Sequence, residues 1–178
     1  MGNRSFVCGQ DFTKTNIHEF KKNVLKYILA SKHEYENLDE FYKGLTEKEI
    51  KQIKREAVAL HISDLEVNGL QESVKFEYDE IILDWDDWKI QGYWYDDFCE
   101  LCFYLWHSGL RGEINLSYQG YQDYIIRFEE DTIYVDFYEE QDYDEKTETY
   151  SPEEPKLEET FKLTTLYRGN YNLPFDWG

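Results

Sequence analysis

Hydrophobic periodicity changes once along this chain, near residue 73, and that change limits the folds open to it. Before this point apolar residues recur at three- and four-residue steps, which lays one stripe along a helix. Beyond it they mostly alternate with polar ones, which turns one face of a strand toward a core. Asn16 with Glu19 has the spacing of a capping box, and Ile17, Phe20, Val24, Tyr27 and Ile28 follow as the stripe of a helix over 16–31. Thr46 with Glu49 repeats the device ahead of Ile50, Ile53, Ala57 and Leu60, predicting a second helix over 46–61. A helical turn around Leu38–Leu45, stopped at Gly44, joins them, and His61–Gly69 is left between helix and loop.

The remainder reads as strands interrupted by one helix. Val74, Phe76 and Tyr78 alternate with charged residues as a half-buried strand does, and Ile81–Trp85 is a second short apolar run. Asp96 and Asp97 stand at an N-cap position before Phe98, Leu101, Cys102, Leu105 and Trp106, predicting a helix over 97–109. Ile114–Tyr118, Tyr124–Phe128 and Ile133–Tyr138 are separated by hairpin-length connections. In the last, Ile133, Val135 and Phe137 would form a core face, and Tyr134, Asp136 and Tyr138 a polar aromatic one. Residues 139–159 hold ten acids with Pro152 and Pro155 and read as a loop. Phe161–Tyr167 resembles a last strand, and Asn172–Trp177 a tail whose two aromatics fold back onto the body. The expected class is α+β: N-terminal helices followed by an antiparallel β-meander with one inserted helix, in one domain over residues 1–178. A chain of 178 residues buries roughly 70% of its unfolded surface, enough for one substantial core.

Charge divides the same chain. Residues 1–60 carry 11 Lys+Arg against 9 Asp+Glu, a net of +2, and form a helical front. Residues 61–178 carry 8 against 29, a net of −21, and hold 13 of the 16 tyrosines, all of them beyond residue 77. The total of −19 argues against direct contact with a nucleic-acid backbone, where each phosphate requires a cation. It argues equally against an anionic membrane surface. The 18% aromatic content argues against disorder, despite the low hydropathy. No apolar run approaches the ~18 residues of a membrane span. Met1–Phe6 lacks the apolar core of a secretory signal, and Phe6 stands where a myristoylation motif has Ser or Thr. Three cysteines form no disulfide framework, so a reducing cytoplasm is the expected location.

Motifs for chemistry are few. Cys99 and Cys102 form the one C-x-x-C, but no second ligand pair of usable spacing completes a zinc site with Cys8 or with His18, His33, His61 or His107. Asp96, Asp97 and Glu100 would raise rather than lower the thiol pKa, so core cysteines are the simpler reading. No phosphate-binding loop, dinucleotide fingerprint or nucleophile elbow occurs. His107 and Ser108 adjoin without a legible third partner, and His61 reads as a packed or capping residue. No metal, cofactor or catalytic residue is expected. Asp84, Trp85, Asp86, Asp87 and Trp88 pack three acids and two indoles into five residues. Paired carboxylates flanking a sugar, or a hard-metal site, would use such residues, but neither glycosidase nor calcium-loop spacing is present. A solvated turn and a binding surface, Trp supplying buried area and Asp charge, are the other readings.

The acids and aromatics together point to a protein partner. Tyr-rich, acid-rich strands offer rigid amphipathic contact area inside a negative field, and such a field speeds encounter with a basic partner. The expected partner-binding residues are Asp84, Trp85, Asp86, Asp87, Trp88, Asp96 and Asp97, with Glu139, Glu140, Asp142, Asp144 and Glu145 from the acid run. In composition and in these clusters the back of the chain resembles bacterial toxin-immunity proteins and the small acidic proteins that phages direct against host nucleases. That resemblance implies an inhibitor, an antitoxin or anti-defence protein, that covers a basic nuclease or other nucleic-acid-binding protein, in the extreme as a nucleic-acid mimic. The alternatives are an enzyme using paired carboxylates or a divalent metal around Asp84–Asp97, and a structural or adaptor subunit.

Overall fold

The computed structural model describes residues 5–31, 37–60, 70–84, 94–118, 122–139, 143–144, 146, 149–150 and 157–163. Strand β1 (Ser5–Asp11) leads into helix α1 (Ile17–Ala30), the single turn α2 (Asp39–Tyr42) and helix α3 (Glu47–Ala59). The turn α4 (Leu70–Ser73) opens a hairpin of β2 (Val74–Glu77) and β3 (Glu80–Leu83), and helix α5 (Trp94–His107) follows. Strands β4 (Gly112–Tyr118), β5 (Gln122–Phe128) and β6 (Ile133–Glu139) form the meander. Then come the two-residue strands β7 (Tyr143–Asp144) and β8 (Thr149–Tyr150), and β9 (Leu157–Leu163). The class is α+β, as the change of period predicts.

The two front helices begin where their caps dictate, with one difference. Thr46 and Glu49 form a complete capping box, each side chain taking the other residue's backbone N–H. At α1 only half of it exists. Asn16 Oδ1 accepts from Glu19 N at 3.1 Å, but the Glu19 carboxylate turns to Lys22 Nζ, also at 3.1 Å. Phe20, Val24, Leu25 and Ile28 are buried on α1, and Ile53 and Ala57 on α3. Leu60, assigned by spacing to the second stripe, caps the end of α3 and is exposed.

Helix α5 starts at Trp94, so Asp96 and Asp97 lie inside its first turn rather than ahead of it. Acids there favour the positive end of the helix dipole as well as an N-cap would. Its C-terminus is the one the sequence marks. Gly109, at φ +100°, lets Leu110 N reach Leu105 O (3.0 Å) and Gly109 N reach Trp106 O (2.9 Å), satisfying the last carbonyls.

The main sheet is antiparallel throughout, in the order β1-β4-β5-β6-β9. The meander is as predicted, but its flanks differ from the sequence reading. The front is not wholly helical, because β1 pairs with β4 from Ser5↔Tyr118 to Asp11↔Glu113, through an irregularity between Val7 and Gly9. The acid run is not one loop either. Glu139 ends β6, Asp144 lies in the small β7–β8 hairpin, and Glu158 and Glu159 belong to β9, which starts four residues before the predicted Phe161. Ladder hydrogen bonds to β6, from Ile133↔Leu163 to Tyr138↔Leu157, outweigh the acidity of that segment. His61–Gly69, Thr164–Tyr167 and Asn172–Trp177 lie outside the described residues.

One core joins these layers. Ile114, Leu116, Ile126, Phe128 and Ile133 cover one face of the sheet. Leu101, Cys102, Leu105 and Leu110, from α5 and its C-terminal turn, join the same core, as do Phe20, Val24, Leu25 and Ile28 from α1, which packs on α3 and α5. Phe76 of β2 meets Phe20 and Phe41 edge-on, which ties the hairpin to the front helices. Leu83 N donates to Gln10 Oε1 at 3.0 Å, which ties it to β1. No described helix is long and apolar enough to cross a membrane.

Candidate functional site

The opposite face of the sheet carries the polar residues, and near one end they form a row. Asp11, Glu113, Arg127 and Tyr134 stand side by side on β1, β4, β5 and β6. The row is one wall of a cleft of about 600 Å³, completed by Lys14, Arg111 and the Glu129–Thr132 turn between β5 and β6. Its walls are built rather than draped. Arg111 N donates to Thr15 Oγ1 at 2.8 Å and Thr15 Oγ1 donates back to Arg111 O at 2.9 Å. Beside them the backbones of β1 and β4 come so close that a Cβ on Gly112 would lie 1.9 Å from Asp11 O. Trp106 Nε1 donates to Glu129 O at 2.6 Å and Glu129 N to Thr132 O at 3.0 Å, holding the acidic turn in place.

Charge within the cleft is ordered. The Arg127 guanidinium lies 4.6 Å over the Tyr134 ring and donates to Asp136 Oδ2 at 3.0 Å and Glu129 Oε1 at 3.1 Å. Asp136, read from the alternation as part of a polar aromatic face, lies on that face but is buried behind this arginine, its charge paired in place of hydration. Arg111 Nη1 donates to Leu110 O (2.7 Å) and Trp106 O (3.1 Å), and its Nε lies 3.6 Å from Glu130. Asp11 accepts from the Thr13 N–H at 3.0 Å and hydroxyl at 2.7 Å, which holds its carboxyl below the usual carboxylate range. Glu113 and Asp131 are exposed, with no ion pair or side-chain hydrogen bond to another described residue.

A second feature stands at the β2–β3 turn. Tyr78, read from the alternation as part of a half-buried strand, is the first residue of a two-residue turn and is 98% exposed. It and Asp79 hold left-handed backbone at φ 49° and 62°. Exposed Glu77 and Glu80 flank them, and Lys21 Nζ sits 4.6 Å over the Phe76 ring beneath. At the open end of the same hairpin Asp84 forms an ion pair with Lys75 across the two strands, and its N–H donates to Ser73 O at 2.9 Å.

Of the sequence-derived partner residues, the described side chains include only Asp84. Trp85, Asp86, Asp87, Trp88, Glu140, Asp142 and Glu145 lie outside the described residues. Asp96, Asp97, Glu139 and Asp144 are placed by backbone alone, in α5, β6 and β7. Sequence reasoning passed over Tyr78, because Tyr-Asp lacks the Asn-Gly signature of a tight hairpin. It also passed over Arg111 and Arg127, whose convergence with Asp11 is a product of sheet register and has no local signal.

Of the cysteines and histidines, His33 and His61 lie outside the described residues and Cys99 is placed by backbone alone in α5. Cys102 is fully buried on α5, and Cys8 on β1 is exposed with its Sγ 3.3 Å from Asn115 O. His107 packs 4.2 Å from the Phe103 ring, and burial, with Arg111 nearby, pushes its pKa below the ordinary value. Among the described residues no group of three or more His, Cys, Asp or Glu is placed to hold a metal ion. No protein-family model, curated protein or solved structure matches the chain.

Proposed function

We propose that the chain is an acidic, non-catalytic, protein-binding inhibitor of the immunity or anti-defence kind, acting in the cytoplasm. Its target is a nuclease or other nucleic-acid-binding protein whose basic site it covers. The observation that carries this reading is Tyr78, a large aromatic ring left 98% exposed at the tip of a hairpin, between Glu77, Asp79 and Glu80. A bulky residue in left-handed backbone costs ~1 kcal/mol or more, and strain of this kind collects at functional positions. Tyr supplies contact area at low entropic cost, and the acids around it supply attraction for a basic partner. The net charge of −19 extends that attraction over the molecule.

The test is capture of a partner on the immobilised chain at low salt, elution with a salt gradient, and assay of the eluted protein for nuclease or nucleic-acid-binding activity. The expected result is a basic protein whose activity the wild-type chain suppresses and the Tyr78→Ala chain suppresses less. A partner that binds without salt dependence and keeps its activity in the complex defeats the proposal.

A further inference from the structure

The five-stranded sheet ends in two edges, β1 and β9, and they differ in what lies beside them. Beside β1 stands the β2–β3 hairpin, tied on by the hydrogen bond from Leu83 N to Gln10 Oε1. Strand β9 pairs with β6 on one side, and among the described residues no strand pairs with its other side. An open edge offers unpaired N–H and C=O groups to another strand, and proteins block such edges with Pro, Lys or a bulge. Leu157–Leu163 contains no Pro. It does contain Lys162 and a bulge: Phe137 pairs with Glu159 and Tyr138 with Leu157, which leaves Glu158 as the extra residue. These two devices complement each other. About a two-fold axis at Thr160, antiparallel pairing of β9 with its own copy sets Glu158 opposite Lys162, Lys162 opposite Glu158 and Leu157 opposite Leu163. Opposite charges in that relation attract, whereas an unrelated strand would meet each of them without its complement. Edge β1 has no such symmetry, its only charged residue being Asp11.

We infer that β9 pairs with β9 of a second copy of this chain, joining two sheets into one continuous sheet across a two-fold axis. A two-fold contact closes on itself, so assembly stops at a dimer. Ladder hydrogen bonds supply the attraction, and the two Glu158–Lys162 pairs fix the register. Each chain carries −19, so repulsion between copies opposes the pairing at low salt. At about 0.15 M salt the screening length is ~8 Å and most of that repulsion is gone. The contact is short, so the dimer is weak, with an expected Kd of about 100 µM. The hairpin that carries Tyr78 stands at the β1 edge, so pairing at β9 leaves it free in each copy.

The experiment is sedimentation equilibrium of the full chain over about 10 µM to 1 mM, in about 0.15 M salt. The wild type is expected to pass from monomer to dimer across that range. Glu158→Lys and Lys162→Glu each set like charges opposite one another twice, and each should weaken dimerisation about tenfold or more. An equimolar mixture of these two variants puts opposite charges back at both positions and should dimerise about as well as the wild type. A purely structural role of either residue would give no such rescue. Should either variant lose its fold, concentration-dependent amide shifts of the isotopically labelled wild type decide alone, and they are expected over Leu157–Leu163. A wild type that stays monomeric throughout overturns the inference. So does a dimer indifferent to both reversals, a mixture without rescue, or a set of shifts that spares β9.

Discussion

Gly112 is the residue at which the fold tolerates least change. It sits at φ +132°, where L side chains are rarely found, and a Cβ there would lie 1.9 Å from Asp11 O. The contact is with backbone, so no side chain can swing aside to relieve it. Gly112→Ala is therefore expected to cost at least about 2 kcal/mol, read as a lower urea midpoint with unchanged slope. It should also loosen the end of the sheet that forms the cleft. Glu49 is a different kind of residue, a partly exposed capping residue outside the core that is informative about pH. Hydrogen bonds from the Thr46 N–H, His18 and the Thr46 hydroxyl lower its pKa from 4.5 to about 2. A carboxylate depressed on folding contributes stability that is fully present above its unfolded pKa of 4.5 and is lost as pH falls toward 2. Side-chain carbonyl shifts of Glu49 should titrate near pH 2, and His18→Ala and Thr46→Ala should each raise that midpoint part of the way. A midpoint near 4.5 in the wild type would mean that the capping box does not persist in solution.

At the scale of elements, the β2–β3 hairpin sets stability against binding. Its two-residue turn needs positive φ at both central positions, which Asn-Gly supplies without strain and Tyr78-Asp79 does not. Replacing Tyr78 by Asn and Asp79 by Gly together should raise stability by ~1 kcal/mol in urea unfolding while weakening capture of the basic partner. A variant that gains no stability and binds as before would show the turn to be an ordinary connection. The same hairpin shows what sequence can disclose. Alternation placed Phe76 correctly on the face packed against the core, and the same alternation misplaced Tyr78, because period alone does not say where a strand turns. The caps of α1, α3 and the Gly109 stop of α5 were legible because each is satisfied within a few residues. Strand β1 was not, because Ser5–Asp11 pairs with Gly112–Tyr118, far along the chain, and has little alternation of its own. The cleft was illegible for the same reason: Asp11, Arg111, Arg127 and Glu130 meet through register, and only Asp84 of the expected residues can be traced to a described side-chain partner, Lys75.

For the molecule as a whole, the question is whether total charge or its placement draws a partner in. A front of +2 and a back of −21 make a charge asymmetry along the sequence that net charge alone conceals. Fields of exposed charges decay over about 10 Å at 0.1 M salt, so a distant acid contributes little to guiding a partner onto a particular face. Two triple variants separate the possibilities. Reversing Asp84, Asp86 and Asp87 to Lys changes the back, and reversing Asp39, Glu40 and Glu47 to Lys changes the front. Each moves the net charge by six units, from −19 to −13. If placement governs, the back variant should slow association with the captured partner about tenfold or more at low salt, and the front variant by much less. Added salt should shrink the difference between them, since it screens the field that the back variant has lost. Trp85→Ala or Trp88→Ala should act in the other phase, hastening release without altering association, because an anchoring ring contributes only after contact is made. Equal slowing by the two reversals would assign the attraction to total charge, and the acidic back would then have no privileged face.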